Sequence, residues 1–234
     1  MGESLGLEGM GRATLRPDLV FPRLAGHPQG PGRAFLRMLV WRTPLGLFGG
    51  MAALRGIATA LAQLKRLEGP FAQVLQAAAP EAAPEDLRAA LGSLPSLPEG
   101  PGVVLGVGLL VLLGLTGAWL HHTAWDHGCL WLLKGVRKEH PWRATLEAEA
   151  SALQVGAVGT AFGLLTLFPI VGALLWPLVV LVDLWFWGLR GAALAAFHGC
   201  PLWKGIVATL LHGFLVLLLG GGLLVYLVLL ASSR

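Results

Sequence analysis

The sequence predicts an all-α integral membrane protein, a helical bundle with about five transmembrane helices. Its 234 residues are 55% hydrophobic and only 13% charged, which is about half the charged fraction of an ordinary soluble domain. The stretch 153–232 contains three formal charges, which are Asp183, Arg190 and Lys204. Because backbone amides inside a bilayer must find partners within the protein, so long an apolar stretch has to be helical.

Residues 1–40 are predicted to form an irregular, basic tail at the cytoplasmic surface, since positive charge favours that side. Its arginines are Arg12, Arg16, Arg23, Arg33 and Arg37. Segment 41–67 follows, and its apolar part, 45–64, has the length of a span but includes Arg55 and Gln63. Two interpretations stay open for this segment, a first span or an amphipathic helix lying in the interface.

Residues 68–101 form an insert rich in alanine and proline. Pro84 followed by Glu85 and Asp86 predicts the first turn of a short helix, where proline needs no amide partner and acids face the positive end of the dipole. The insert carries five acids and a single base, Arg88. A loop so poor in basic residues is expected on the non-cytoplasmic side.

The remaining chain, 102–232, is predicted to be a four-helix membrane domain. The predicted spans are 102–125, 153–168, 173–197 and 201–230. Pro169 and Gly172 are predicted to form a tight hairpin turn between the second and third of these spans. The alternation of loop charge predicts a multi-pass protein of the inner (plasma) membrane with a cytoplasmic N-terminus and a non-cytoplasmic C-terminus.

The segment from about 102 to 218 resembles the Yip-domain family of polytopic membrane proteins. The resemblance is carried by the sequences LHHTAWDHGCLWLLKG, WRATLEAEASAL, FPIVGALLW and AFHGCPLWKGIVATLL. It implies five helices, a cytoplasmic N-terminus and no catalytic activity. Eukaryotic members bind small Rab-type GTPases and shape vesicles, whereas bacterial members mostly have no assigned activity. The chain departs from the family pattern at Glu147 and Glu149, and in a longer interval between Pro169 and His198.

Asp183 is an acid near the middle of a predicted span. An ionised carboxylate there costs at least about 2.5–3.5 kcal/mol, so it should face the bundle and have a partner. Arg190 lies two turns away on the same helix face, and His212 on the last span is a second potential partner. We interpret the three residues as a polar clasp between helices, with a proton or ion relay as the alternative.

The tripeptide His-Gly-Cys occurs twice, at 127–129 and 198–200, and both copies fall at predicted cytoplasmic helix ends. Two histidines and two cysteines would satisfy tetrahedral zinc, and the same donors suit copper. The candidate ligands are His127, Cys129, His198 and Cys200, with His121, His122, His140 and Asp126 in reserve. The alternative is that these histidines simply lie in the hydrated interface, with no bound metal or other cofactor.

Small residues four apart let membrane helices approach closely. The glycines assigned to helix packing are Gly102, Gly106, Gly159, Gly163, Gly220 and Gly221. Most of this packing is expected within the chain. A face for a second copy or for another membrane protein is the alternative.

No nucleotide-binding loop, catalytic triad or zinc-protease motif occurs in the sequence. The basic residues form no dense block, so nucleic acid is not an expected partner. The predicted function is that of a non-catalytic scaffold or accessory subunit of a membrane assembly, with lipid and other membrane proteins as partners. The alternatives are a small transporter or permease component that uses Asp183, and a metal-handling membrane protein that uses the two His-Gly-Cys corners.

Overall fold

The computed structural model describes residues 6–78, 83–93, 100–167 and 169–232. Within these ranges the chain is helical and contains no strand. The helices are α1 (Leu7–Leu15), α2 (Pro17–Gly26), α3 (Pro31–Lys65), α4 (Gly69–Ala78), α5 (Pro84–Gly92), α6 (Pro101–Leu132), α7 (Pro141–Val155), α8 (Ala157–Gly163), α9 (Pro169–His198) and α10 (Leu202–Ser232). A short 3-10 helix, Leu164–Leu167, lies between α8 and α9.

Five helical segments of the described chain are long and apolar enough to cross a bilayer. They are Pro31–Lys65, Pro101–Leu132, Pro141–Leu167, Leu174–His198 and Leu202–Ala231. The prediction of an all-α protein with about five spans is therefore confirmed. The chain is a multi-pass membrane protein, and segment 41–67 lies mostly within a helix of span length.

Proline begins six of the described helices, namely α2, α3, α5, α6, α7 and α9. The first helical residue needs no amide hydrogen, and the fixed backbone angle of proline already suits a helix. In α5 the acids Glu85 and Asp86 follow Pro84 within the first turn, as predicted. These prolines therefore set the starting points of the six helices.

The prediction of an irregular tail at residues 1–40 is wrong. α1 and α2 occupy much of this segment, and α3 already begins at Pro31. Met10, Ala13 and Phe21 are fully buried and belong to the main hydrophobic cluster. Helices this short are marginal by themselves, so their stability comes from burial against α7 and α9 rather than from local propensity.

The hydrophobic core lies between α7 and the second half of α9. Nearly every residue of 144–155 in α7 and of 189–198 in α9 is buried. Alanine dominates both segments, including Ala148, Ala152 and Ala193, which are 0% exposed. Small side chains let the two helices approach closely, which is how membrane helices gain packing energy.

The crossing of α9 and α10 is closer still, because glycine meets glycine there. A Cβ atom at Gly191 would lie 2.6 Å from Cα of Ile206, and one at Gly205 would collide with the carbonyl oxygen of Gly191. At Gly213 a Cβ atom would lie 2.5 Å from the ring of Trp187. These positions require glycine because a neighbouring helix fills the space of a side chain.

Residues 46–112 form a separate compact unit. Within it, a Cβ atom at Gly46 would lie 2.6 Å from Cγ1 of Val111, and one at Gly50 would lie 2.8 Å from Cγ1 of Val107. Two glycines four residues apart on α3 thus allow close packing against α6.

The predicted hairpin turn differs from the observed connection. Pro169 is the first residue of α9, and Gly172 lies inside that helix instead of in a turn. Phe168, between the 3-10 helix and Pro169, lies outside the described residues. A Cβ atom at Gly172 would be 2.5 Å from the carbonyl oxygen of Thr166, so glycine serves a close approach to the preceding segment.

Candidate functional site

Arg190 lies at the centre of a buried ionic cluster, which we define as Asp126, Glu149 and Arg190. Its guanidinium donates from Nη2 to Oδ2 of Asp126 and from Nε to Oε2 of Glu149, the latter over 3.2 Å. The Arg190 side chain is 2% exposed and both acidic side chains are 0% exposed. The three residues come from α6, α7 and α9, so one guanidinium connects three helices.

His212 of α10 extends this cluster to a fourth helix. Its Nδ1 atom lies 2.6 Å from Oδ1 of Asp126. An ionised carboxylate only accepts hydrogen bonds, so the Nδ1 hydrogen of His212 is the donor. In a neutral ring with this tautomer, Nε2 carries the free lone pair.

The Nε2 atom of His212 faces two further histidines, and we call His121, His122 and His212 the histidine cluster. Nε2 of His212 is 3.3 Å from Nε2 of His121, and one ligand atom from each of the three rings lies within 4.8 Å of the other two. His121 is exposed, His122 is half-buried and His212 is buried. Among the described residues, this is the one group of three or more metal-ligating side chains that converges so closely.

Aromatic rings surround both clusters. Trp125 lies nearly parallel to the His212 ring, with an angle of 8° and 6.0 Å between centroids. The ring of Trp187 is 6.1 Å from His212 and 5.3 Å from the guanidinium carbon of Arg190. Apolar walls keep the local dielectric low, which strengthens the charge interactions inside.

The ionic cluster stabilises the fold only when all three of its side chains are present. Removing each ion from water costs several kcal/mol, which only mutual attraction and full hydrogen bonding can offset. Arg190 carries one positive charge against two carboxyl groups, and Oε1 of Glu149 is buried without a hydrogen-bond partner among the described residues. The cluster therefore has two carboxyl groups for one guanidinium beside the histidines.

A second polar site links His127 and His198 through Thr145. Oγ1 of Thr145 is 2.8 Å from Nδ1 of His127 and 2.9 Å from Nε2 of His198. The remaining ring nitrogen of His198, Nδ1, accepts a hydrogen bond from the backbone amide of Arg137 over 3.2 Å. Both nitrogens of His198 are thus used in holding helix ends together.

The predicted metal site does not assemble in the part of the chain that the structure describes. No three of its four ligands bring their ligand atoms within 4.8 Å of one another. Cys129 is buried with Leu130 and Ala208, and Cys200 packs against the same group. Burial also raises the pKa of the Cys200 thiol above its ordinary value, so the thiolate that would bind a metal is disfavoured.

The predicted polar clasp of Asp183, Arg190 and His212 is wrong in its acid. Arg190 and His212 do come together, with Nη2 and Nδ1 3.4 Å apart, but their acidic partner is Asp126 instead of Asp183. Asp183 is exposed on α9. It lies two turns from Arg190, about 10 Å along the helix, while Asp126 and Glu149 reach the guanidinium directly.

The predicted packing glycines also need correction. Gly159 packs within the chain, since a Cβ atom there would lie 3.1 Å from Cγ1 of Val182. At the other five predicted positions, a Cβ atom would meet no atom of the described residues within 4 Å. Those positions are Gly102, Gly106, Gly163, Gly220 and Gly221. The glycines that do pack closely in the membrane domain, notably Gly191 and Gly205, were not predicted.

Sequence reasoning missed Asp126 and Glu149 because it ended the spans too early. The predicted spans stopped at residue 125 and began again at 153, which placed both acids in a polar loop. In the structure α6 continues to Leu132 and α7 begins at Pro141. The sequence does contain a relevant signal, since Glu149 is flanked by Ala148 and Ala150, small residues typical of a tightly packed helix.

Comparison with known proteins found no matching family model, no matching curated protein and no matching solved structure.

Proposed function

We propose that this chain is a non-catalytic scaffold or accessory subunit of a membrane assembly, and that the second half of α10 binds a transmembrane helix of a partner. The observation that supports this most strongly is the exposure of that half. Every residue from Val216 to Ala231 is exposed, on all sides of the helix. The first half of α10, by contrast, contributes the buried residues Ala208, Thr209 and His212.

The glycine run at 220–222 gives this exposed half a surface on which another helix can pack closely. Glycine destabilises an unsupported helix by about 0.5–1 kcal/mol relative to alanine. Among the described residues, nothing lies within 4 Å of a Cβ atom at any of the three positions, so packing within the described part of the chain does not account for them. A partner helix that approaches closely would use the absence of side chains there.

The alternative of a transporter that uses Asp183 has less support. Asp183 is exposed on α9 and is remote from the ionic cluster. The buried ionisable groups Asp126 and Arg190 bind each other and connect helices. Such an arrangement favours a rigid clasp over a path along which an ion moves.

The resemblance to the Yip-domain family supports the same proposal. Members of that family have no catalytic activity, and eukaryotic members work through protein partners. We extend the proposal to the topology, with the N-terminus in the cytoplasm, the C-terminus outside, and the chain in the inner membrane. The basic arginines near the N-terminus and the acidic insert support this orientation.

Photo-crosslinking in native membranes tests the partner contact. A photoreactive residue at Leu224, which is 63% exposed, should give a discrete protein adduct that mass spectrometry can identify. Gly221→Leu should abolish that adduct by filling the contact. Gly114→Leu on α6 is the matched control, because a Cβ atom at Gly114 also meets nothing within 4 Å.

Both variants should melt close to the unmodified protein, since both glycines are exposed and a Cβ atom at either position meets no described atom within 4 Å. Isolation of the unmodified protein as a lone monomer in mild detergent, together with the absence of a protein adduct at Leu224, would contradict the proposal. An adduct that survives Gly221→Leu undiminished would show that the glycine run is not the contact.

A further inference from the structure

We propose that His121, His122 and His212 form a binding site for a late first-row transition metal ion, with zinc as the best fit. The site is distinct from the partner contact on α10, and it uses none of the cysteines predicted as ligands. Imidazole nitrogen suits zinc, copper and nickel. Three histidines leave one coordination position of a tetrahedral ion open for water or an anion.

The distances already approach those of a metal site. Zinc–imidazole bonds of about 2.0–2.1 Å in a tetrahedron place ligand nitrogens roughly 3.3 Å apart. The Nε2 atoms of His121 and His212 are 3.3 Å apart, and the third ligand atom is within 4.8 Å of both. The ligand atom of His122 would have to approach the other two more closely to complete the set.

His122 has a ring nitrogen without a partner, which indicates that an ion could bind there. Its Nδ1 atom is buried and has no hydrogen-bond partner among the described residues. A buried polar atom left unpaired costs about 1–3 kcal/mol. A metal ion bound at this nitrogen would remove that cost, whereas the contact between His121 and His212 alone does not.

Asp126 supplies the supporting interaction that metal-binding histidines usually have. A histidine ligand commonly donates its second ring N–H to a carboxylate, which fixes the tautomer and raises the basicity of the ligand. His212 does so to Oδ1 of Asp126 over 2.6 Å. Asp126 is itself held by Arg190, so the lone pair on Nε2 of His212 is fixed in direction by three helices.

Charge and access also favour a cation. The carboxyl group of Asp126 lies beside His212, and a negative group next to a ligand favours a divalent ion in a low-dielectric setting. His121 is the exposed member of the cluster, so the other protein side chains leave the site open on that side. Trp125 and Trp187 cover His212 from other directions.

The test uses the full-length protein without an affinity tag, purified in mild detergent, stripped of metal and titrated with Zn²⁺ or Co²⁺ alone. We expect one ion per chain and, for cobalt, visible bands typical of nitrogen ligands in a four-coordinate site. His121→Ala and His122→Ala should each weaken binding by at least roughly tenfold. His140→Ala is the matched control, because His140 is an exposed histidine outside the cluster.

His121→Ala is the decisive variant, since the exposed ring can be removed with little effect on folding, which circular dichroism and gel filtration would verify. Cys129→Ser with Cys200→Ser should leave binding unchanged. The proposal is overturned if the folded unmodified protein binds neither ion at micromolar concentration. It is also overturned if cobalt shows thiolate charge-transfer bands, or if His121→Ala binds as tightly as His140→Ala.

Discussion

Replacing Arg190 with leucine is the most direct test of the ionic cluster. The substitution keeps an apolar stem on α9 but leaves Asp126 and Glu149, both 0% exposed, without their cation. Removing one partner of a buried ion pair typically costs about 3–5 kcal/mol, mostly because the remaining charge stays buried. We expect Arg190→Leu to lose at least this amount, since two acids lose their partner at once.

The loss is measured as a shift in melting temperature in detergent, followed by tryptophan fluorescence. For a chain of this size, about 3–5 kcal/mol corresponds to roughly 6–20 °C. Arg137→Leu is the control, because Arg137 is 42% exposed and lies 4.0 Å from an exposed glutamate, Glu139. Exposed pairs contribute about 0–1 kcal/mol, so this variant should melt within a few degrees of the unmodified protein.

A triple variant distinguishes two costs of Arg190→Leu, the loss of the ion pairs and the burial of acids that have no cation. Combining Arg190→Leu with Asp126→Asn and Glu149→Gln removes all three charges, and it should recover part of the stability lost in Arg190→Leu. If Arg190→Leu melts together with Arg137→Leu, the cluster contributes no more than a surface pair. Burial of the Arg190 ion pairs would then not make them more important for stability than an exposed pair.

Three further predictions concern other packed positions. Thr145→Val should destabilise the protein by about 1–3 kcal/mol because two buried histidines lose their shared hydroxyl, whereas Thr145→Ser should be nearly neutral in the same melting assay. Gly205→Ala should cost about 1–3 kcal/mol through overpacking, while Gly114→Ala, which has open space, should gain about 0.5–1 kcal/mol; equal shifts would contradict the close helix crossing. Because burial raises the pKa of the Cys200 thiol, its thiolate forms only at higher pH, so its alkylation rate in a Cys129→Ser background should rise at a higher pH than that of a free thiol.

The fold class was predictable because the bilayer imposes a simple requirement. An apolar stretch as long as 153–232, with only three formal charges, has to be helical there, and its few interruptions divide it into spans. The limits of the spans were less predictable. A search for apolar residues ends where the first acid appears, yet a helix continues wherever its polar side chains find partners, as Asp126 and Glu149 do.

The candidate site was only partly predicted, because the sequence does not show which polar side chains become partners. Arg190 and His212 stood out as ionisable groups in apolar segments, and both belong to the observed clusters. Asp183 stood out by the same criterion but lies exposed on α9. Sequence position gives the depth of a residue along its helix, whereas the partner depends on how helices far apart in the chain are rotated and packed.

The burial of α1 and α2 against α9 determines when these two helices can pack during synthesis of the chain. Nε1 of Trp185 donates to the carbonyl oxygen of Thr14 across 171 residues of chain, a length that takes a ribosome roughly 10 to 30 s to synthesise. Until α7 and α9 have been synthesised, Met10 and Phe21 lack the helices that bury them. The first helices to emerge are thus among the last to dock, and an N-terminally shortened chain would leave the hydrophobic face of α9 uncovered for its whole lifetime.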